Sequence, residues 1–116
     1  MQVQFNTDDN IEGRDALAQQ VEAGVAAALG RFAGRVTRVE VHLSDENAGR
    51  GGSADKRCVM EARPAGRDPV AVTHQAATLE EAYGGAAKKL RSLLESTFGR
   101  LDDAKGAASI RGNGGR

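Results

Sequence analysis

Two rhythms of hydrophobic and polar residues divide this chain into elements. At the start Val3 and Phe5 alternate with Gln2 and Gln4, the period of a short strand. A polar segment, NTDDNIEG, follows. From Leu17 the period lengthens: Leu17, Val21, Val25, Ala28 and Phe32 recur at steps of three or four, with Ala18 and Leu29 beside them. Those positions share one side of a helix. Gly24 and Gly30 each weaken that helix by about 1 kcal/mol relative to Ala, so packing along the stripe must compensate. Gly34 is its expected stop.

Period two returns in VTRVEVHLS, with Val39, Val41 and Leu43 on one side and Arg38, Glu40 and His42 on the other. This is the pattern of a half-buried strand. The segment DENAGRGGSAD, Asp45 to Asp55, has almost nothing to bury and reads as a mobile connection. KRCVMEARP resumes alternation, Cys58, Met60 and Ala62 opposing Arg57, Val59, Glu61 and Arg63. Pro64 and Gly66 mark a turn into a further strand around Val70 and Val72. A second helix begins at Thr78, where Thr78-Leu79-Glu80-Glu81 fits a capping box. Its stripe runs through Leu79, Tyr83, Ala87, Leu90, Leu94 and Leu101, widened by Ala86, Leu93 and Phe98.

The expected order is β-α-β-β-β-α, an α+β architecture. The last three strands, joined by loops too short for crossovers, form an antiparallel meander in a four-stranded sheet. Both helices pack on one face of that sheet. The other, bearing Arg38, Glu40, His42 and Arg57, stays polar. Residues 1–101 make one domain; periodicity fails after Asp103, so residues 102–116 are expected to be a flexible tail.

Composition refines this picture. At 116 residues there is room for one core, and with 3% aromatic residues and no Trp it must be thin. The formal net charge is +0, so bulk charge does not point to nucleic acid. The distribution is uneven. Residues 1–30 hold one base, Arg14, against Asp8, Asp9, Glu12, Asp15 and Glu22, whereas residues 84–100 hold Lys88, Lys89, Arg91 and Arg100 against Glu95 alone. Such asymmetry permits an anionic partner on one face. A single cysteine excludes an internal disulfide and fits a reducing compartment. With no signal-like start and no apolar run of membrane length, a soluble cytoplasmic protein is expected.

Candidate chemistry is sparse. TLEEAYGGAAKKLR, Thr78 to Arg91, superficially suggests a phosphate-wrapping loop, but such a loop places its glycines before a helix, and the cap at Thr78 starts this helix earlier. Gly84 and Gly85 then either lie on the polar side at a cost in stability or let a partner's backbone approach. Lys88, Lys89 and Arg91 either form a solvated face or grip a phosphate backbone. With few aromatics to stack on bases, folded RNA read by shape suits them better than single strands. Cys58 shares parity with Met60 and Ala62 while His42 has the opposite parity, which defeats a dyad between them. His74 is expected to be a surface or packing residue. Two histidines and one cysteine without ligand spacing give no zinc site, and no other metal, cofactor or catalytic set is expected.

The opening MQVQF, the helix ALAQQVEAGVAAALGRF, the strand VTRVEVHLS and the run EEAYGGAAKKLRSLL, in this order and spacing, resemble the short ribosome hibernation factors. These comprise hibernation-promoting factor and ribosome-associated inhibitor A, or protein Y. Tyr83-Gly84-Gly85 stands where that family has a Tyr and two small residues. The resemblance covers about residues 1–101 and implies a fold like that of double-stranded-RNA-binding domains. It implies a monomer that docks on small-subunit rRNA, blocks the mRNA and tRNA channel under stress, and performs no chemistry. The residues expected to meet rRNA are Lys88, Lys89, Arg91, Arg38, Arg57 and Arg63. The middle of the first helix, Glu22 to Ala28, carries no Lys or Arg, unlike the family's usual basic first helix. A protein-interaction or self-association module that kept the fold without strong rRNA binding is the competing expectation.

Overall fold

A computed structural model gives the architecture; it describes residues 1–8, 11, 13–46 and 55–110, the last ten by backbone alone. The elements are β1 (Gln2–Thr7), α1 (Arg14–Leu29), a 3-10 turn (Gly30–Phe32), β2 (Val36–Asp45), β3 (Lys56–Pro64), β4 (Val70–Ala76) and α2 (Leu79–Ile110). They build a four-stranded sheet in the order β1-β2-β3-β4. The crossover through α1 makes β1 and β2 parallel, and the other two pairs are antiparallel.

Register turns the alternating sequence into rows. On the helix side Val3, Val39, Ala62 and Val70 line up across the strands, then Phe5, Val41, Met60 and Val72. Onto these rows α2 lays Ala82, Ala86, Leu90 and Leu94, while α1 adds Leu17, Val21, Val25 and Leu29. Leu90, Leu94, Met60 and Val41 have no exposed surface. Burying each large aliphatic side chain contributes about 1.5–3 kcal/mol. Phe32 and Phe98 close one end of the core, their ring centroids 5.3 Å apart. α1 ends at Leu29, ahead of the stop expected at Gly34, because the chain tightens there into the 3-10 turn that buries Phe32.

The alternation in β2 contains one irregularity that the sequence conceals. Val36 pairs with Pro64 and Arg38 with Arg63, leaving Thr37 as an extra residue. This bulge lets both Val36 and Val39 point into the core. The Thr37 hydroxyl donates to the Arg63 carbonyl at 3.0 Å. The expected mobile connection is described only at its ends, since residues 47–54 lie outside the described residues. Those ends are tied together. The Glu46 N–H donates to the Asp55 carbonyl at 2.9 Å. Lys56 Nζ reaches the buried Asp55 carboxylate at 2.9 Å and Asp45 at 3.4 Å. The hydrogen bond to Asp55 raises the Lys56 pKa against the opposing effect of desolvation.

At the start of α2 the Thr78 hydroxyl accepts the Glu81 N–H at 3.1 Å, the expected cap. The backbone is helical to Ile110, past Asp103, where the apolar stripe gives out; alanines at 104, 107 and 108 favour helix without needing one. The remainder of the expected tail, 111–116, lies outside the described residues.

Gly85 corrects the expectation that both glycines lie on the polar side or serve a partner. It faces β4, where the ring of His74 occupies the space that a Cβ on Gly85 would need; Gly84 has open space there. The glycine makes room for an internal neighbour. Gly84→Ala should therefore stabilise the protein by up to about 1 kcal/mol, the helix-propensity gain. Gly85→Ala should fall short of that by about 1–3 kcal/mol, the cost of overpacking. The shortfall should vanish in a His74→Ala background, as read from urea denaturation midpoints.

Candidate nucleic-acid interface

The six basic residues singled out from the sequence occupy two separate surfaces. Arg38, Arg57 and Arg63 project from the open face of the sheet, where Arg38 is paired across strands with Arg63 and Arg57 with Ser44. Lys88, Lys89 and Arg91 belong to α2, on the other side. The sheet lies between the two groups, so no single ligand surface unites all six.

The cations also differ in what they already hold. Each arginine on the open face has a carboxylate partner: Arg38 with Glu40 at 2.7 Å, Arg63 with Glu61 at 3.9 Å and Arg57 with Glu46 at 4.0 Å. Gln2, Gln4, Asn6, His42, Val59, Ala71, Thr73 and Gln75 lie in register on the same face. The face is an electrically balanced polar mosaic. In α2, Arg91 Nε meets Glu95 at 3.3 Å, and Arg31, beyond the end of α1, meets the same carboxylate oxygen at 3.0 Å. Lys89 Nζ donates to the Thr73 carbonyl on β4 at 2.9 Å. Lys88 is exposed, borders a groove with His74, Gly84 and Gly85, and makes no ion pair among the described residues. Exposed pairs like these contribute little to stability, on the order of 0–1 kcal/mol, but they lower the charge available to an anionic partner.

A second set of cations, missed in the sequence, lies near the C-terminal half of α2. The Arg35 guanidinium stacks over Phe98, 4.0 Å from the ring centroid, and Arg31 lies 5.1 Å from the centroid of Phe32. Arg67 and Arg100 line a cleft between the β3–β4 turn and α2, together with Gly66, Asp68, Val70 and Thr97. Local patterns could not assemble them, because they come from α1's end, a turn and α2. The only linear hint was the basic excess of residues 84–100.

Nucleophilic chemistry finds no support in the geometry. Cys58 is fully buried, and its cross-strand neighbour is His74 rather than His42. Burial pushes the Cys58 thiol up to about 12, so it stays protonated. Among the described residues no cluster of His, Cys, Asp and Glu could hold a metal ion, and no helix is long and apolar enough to cross a membrane.

The β-α-β-β-β-α sheet with its helices on one side defines a class before it defines a protein. The chain belongs to the sigma 54 modulation protein / S30EA ribosomal protein family, whose model matches residues 4–102. Its fold is similar to that of the N-terminal domain of Thermus thermophilus Protein Y, with a TM-score of 0.67 at 23% identity, covering 84% of this chain and 99% of that one. It is equally similar to a ribosomal subunit interface protein from Coxiella burnetii, with a TM-score of 0.67 at 11% identity, covering 85% and 99%. No curated protein matches the chain's sequence.

Two outcomes follow from these placements. Cys58 should resist thiol reagents in the native state and react only on unfolding. Because folding raises its pKa, its contribution to stability is complete below the ordinary thiol value of 9.0 and is lost as pH rises toward about 12, measurable as a falling denaturation midpoint. Glu95→Gln should change stability by less than about 1 kcal/mol. By releasing Arg31 and Arg91 together, it should delay elution from a heparin column to higher salt.

Proposed function

We propose that this protein is a ribosome-associated translation inhibitor. It docks as a cytoplasmic monomer on small-subunit rRNA and occludes the channel for mRNA and tRNA. The observation that carries this reading is the family match over residues 4–102, joined to a fold shared with a Protein Y domain and a ribosomal subunit interface protein. Physically the mechanism is occlusion: a rigid body held by contacts between its cations and phosphates, with no bond made or broken. The helix side is the better RNA surface. It offers Lys88 without an ion pair among the described residues, Lys89 held by a backbone carbonyl, and Arg31 and Arg91 sharing one carboxylate, whereas each arginine of the open face has a carboxylate of its own.

A second reading, a protein-interaction or self-association module, draws on that balanced open face. Alternating Arg and Glu side chains can meet a complementary protein surface without the excess charge that RNA requires. An RNA-independent dimer in analytical ultracentrifugation, with no affinity for ribosomes, would favour it.

Purified protein should sediment with small ribosomal subunits at low salt and dissociate as salt rises. Failure to sediment at low salt would sink the inhibitor reading. Lys88→Ala should lower the slope of log affinity against log salt by about one unit, the loss of one phosphate contact. Lys89→Ala should lower it less, since its ammonium is already engaged by the Thr73 carbonyl.

A further inference from the structure

The cleft between the β3–β4 turn and α2 differs from every other concentration of arginine described above. It has a volume of about 400 Å³ and is lined by Gly66, Arg67, Asp68, Val70, Thr97 and Arg100. Local geometry builds it. The turn closes through the Arg67 N–H donating to the Pro64 carbonyl at 3.1 Å. Gly66 holds φ +72°, a left-handed conformation that a residue with a side chain adopts only under strain. This turn brings Arg67 toward α2, where Thr97 and Arg100 are three residues apart and share a side of the helix.

The charge in the cleft is unresolved. Arg31, Arg38, Arg57, Arg63 and Arg91 all have carboxylate partners. Arg67 and Arg100 make no ion pair among the described residues, although both line one small space. Asp68 is the single carboxylate in the lining, so two positive charges meet one negative. The Thr97 hydroxyl already donates to the Leu93 carbonyl at 2.8 Å, which leaves the two guanidiniums as the side-chain donors to any ligand. Nearby, the Ala65 N–H donates to the Arg35 carbonyl at 2.9 Å, which ties the turn to the segment ahead of β2. Two arginines that line one small space without a carboxylate each are suited to a tetrahedral oxyanion, which accepts guanidinium N–H groups in parallel pairs.

We infer that this cleft is an anion subsite that takes one phosphate group, carried by an RNA backbone or by a free nucleotide. Arg67 and Arg100 hold the phosphate oxygens, and Val70 supplies an apolar floor against which a sugar can lie. Asp68 limits affinity by repelling the anion. The inference goes beyond ribosome docking: RNA as the ligand would make the cleft part of the docking surface, and a nucleotide would make it a separate site.

Titrating the full-length isotopically labelled chain with adenosine monophosphate in one arm and a short oligouridine in the other tests this by nuclear magnetic resonance. Saturable shifts are expected in the amides of Gly66, Arg67, Asp68, Val70, Thr97 and Arg100. Saturation by the oligonucleotide alone identifies a backbone phosphate, and saturation by the mononucleotide identifies a free one. Either outcome supports the site. The Arg67→Ala/Arg100→Ala double variant should weaken binding about ten-fold or more. Asp68→Asn should strengthen it about two- to five-fold. Both arginines are exposed, so the double variant should keep the wild-type denaturation curve. The inference is overturned if neither probe moves the cleft amides, or if the double variant binds as tightly as wild type. A protein whose cleft binds phosphate but which fails to sediment with ribosomal subunits refutes the ribosome reading alone. One that sediments with a silent cleft refutes this inference alone.

Discussion

The structure depends on burying the apolar stripe of α2 against the helix-side rows of the sheet. β3 and β4 present Ala62, Met60, Val70 and Val72, and these need a cover that α1 alone does not reach. Leu90 and Leu94 supply it, with small residues at 82, 86 and 87 letting the helix lie close. A chain with so few aromatic residues cannot fill a thick core, so close approach replaces bulk. Gly85 is the extreme case, where even a methyl group would displace His74. The same contact fixes the azimuth of α2 and so decides which of its cations face outward.

From that azimuth the electrostatics follow. Lys89 turns toward β4 and is held by a strand carbonyl, Arg91 shares Glu95 with Arg31, and Lys88 is left exposed without an ion pair among the described residues. The sheet's open face neutralises itself, because strand alternation sets Arg and Glu two residues apart on one side. A formal net charge of zero therefore conceals unequal surfaces. One is balanced, and the other retains cations around α2 and the β3–β4 turn.

Much of the fold was legible because its two periods are clean. Val39-Val41-Leu43 and Cys58-Met60-Ala62 could sit only in strands with one buried face, and Leu79-Tyr83-Ala87-Leu90-Leu94 only in a helix. The bulge at Thr37 was not legible, since both of its consequences depend on the partner strand. Of the interface, the cations of α2 could be named from their spacing, but not their partners. His74 offers the sharpest case. Its parity with Val70 and Val72 was available, yet only the packed helix reveals that it fills the space over Gly85 and stands opposite Cys58.

By itself, then, the sequence determined the element order and the buried faces, including the one that carries Cys58, because these follow from period and parity within single elements. Tertiary structure alone decided which cations are spent on carboxylates and which remain free. It alone brought Arg67 of a turn beside Arg100 of a helix. Ion pairs and clefts join residues distant in sequence, and their energies depend on separations of a few ångströms that no local pattern encodes.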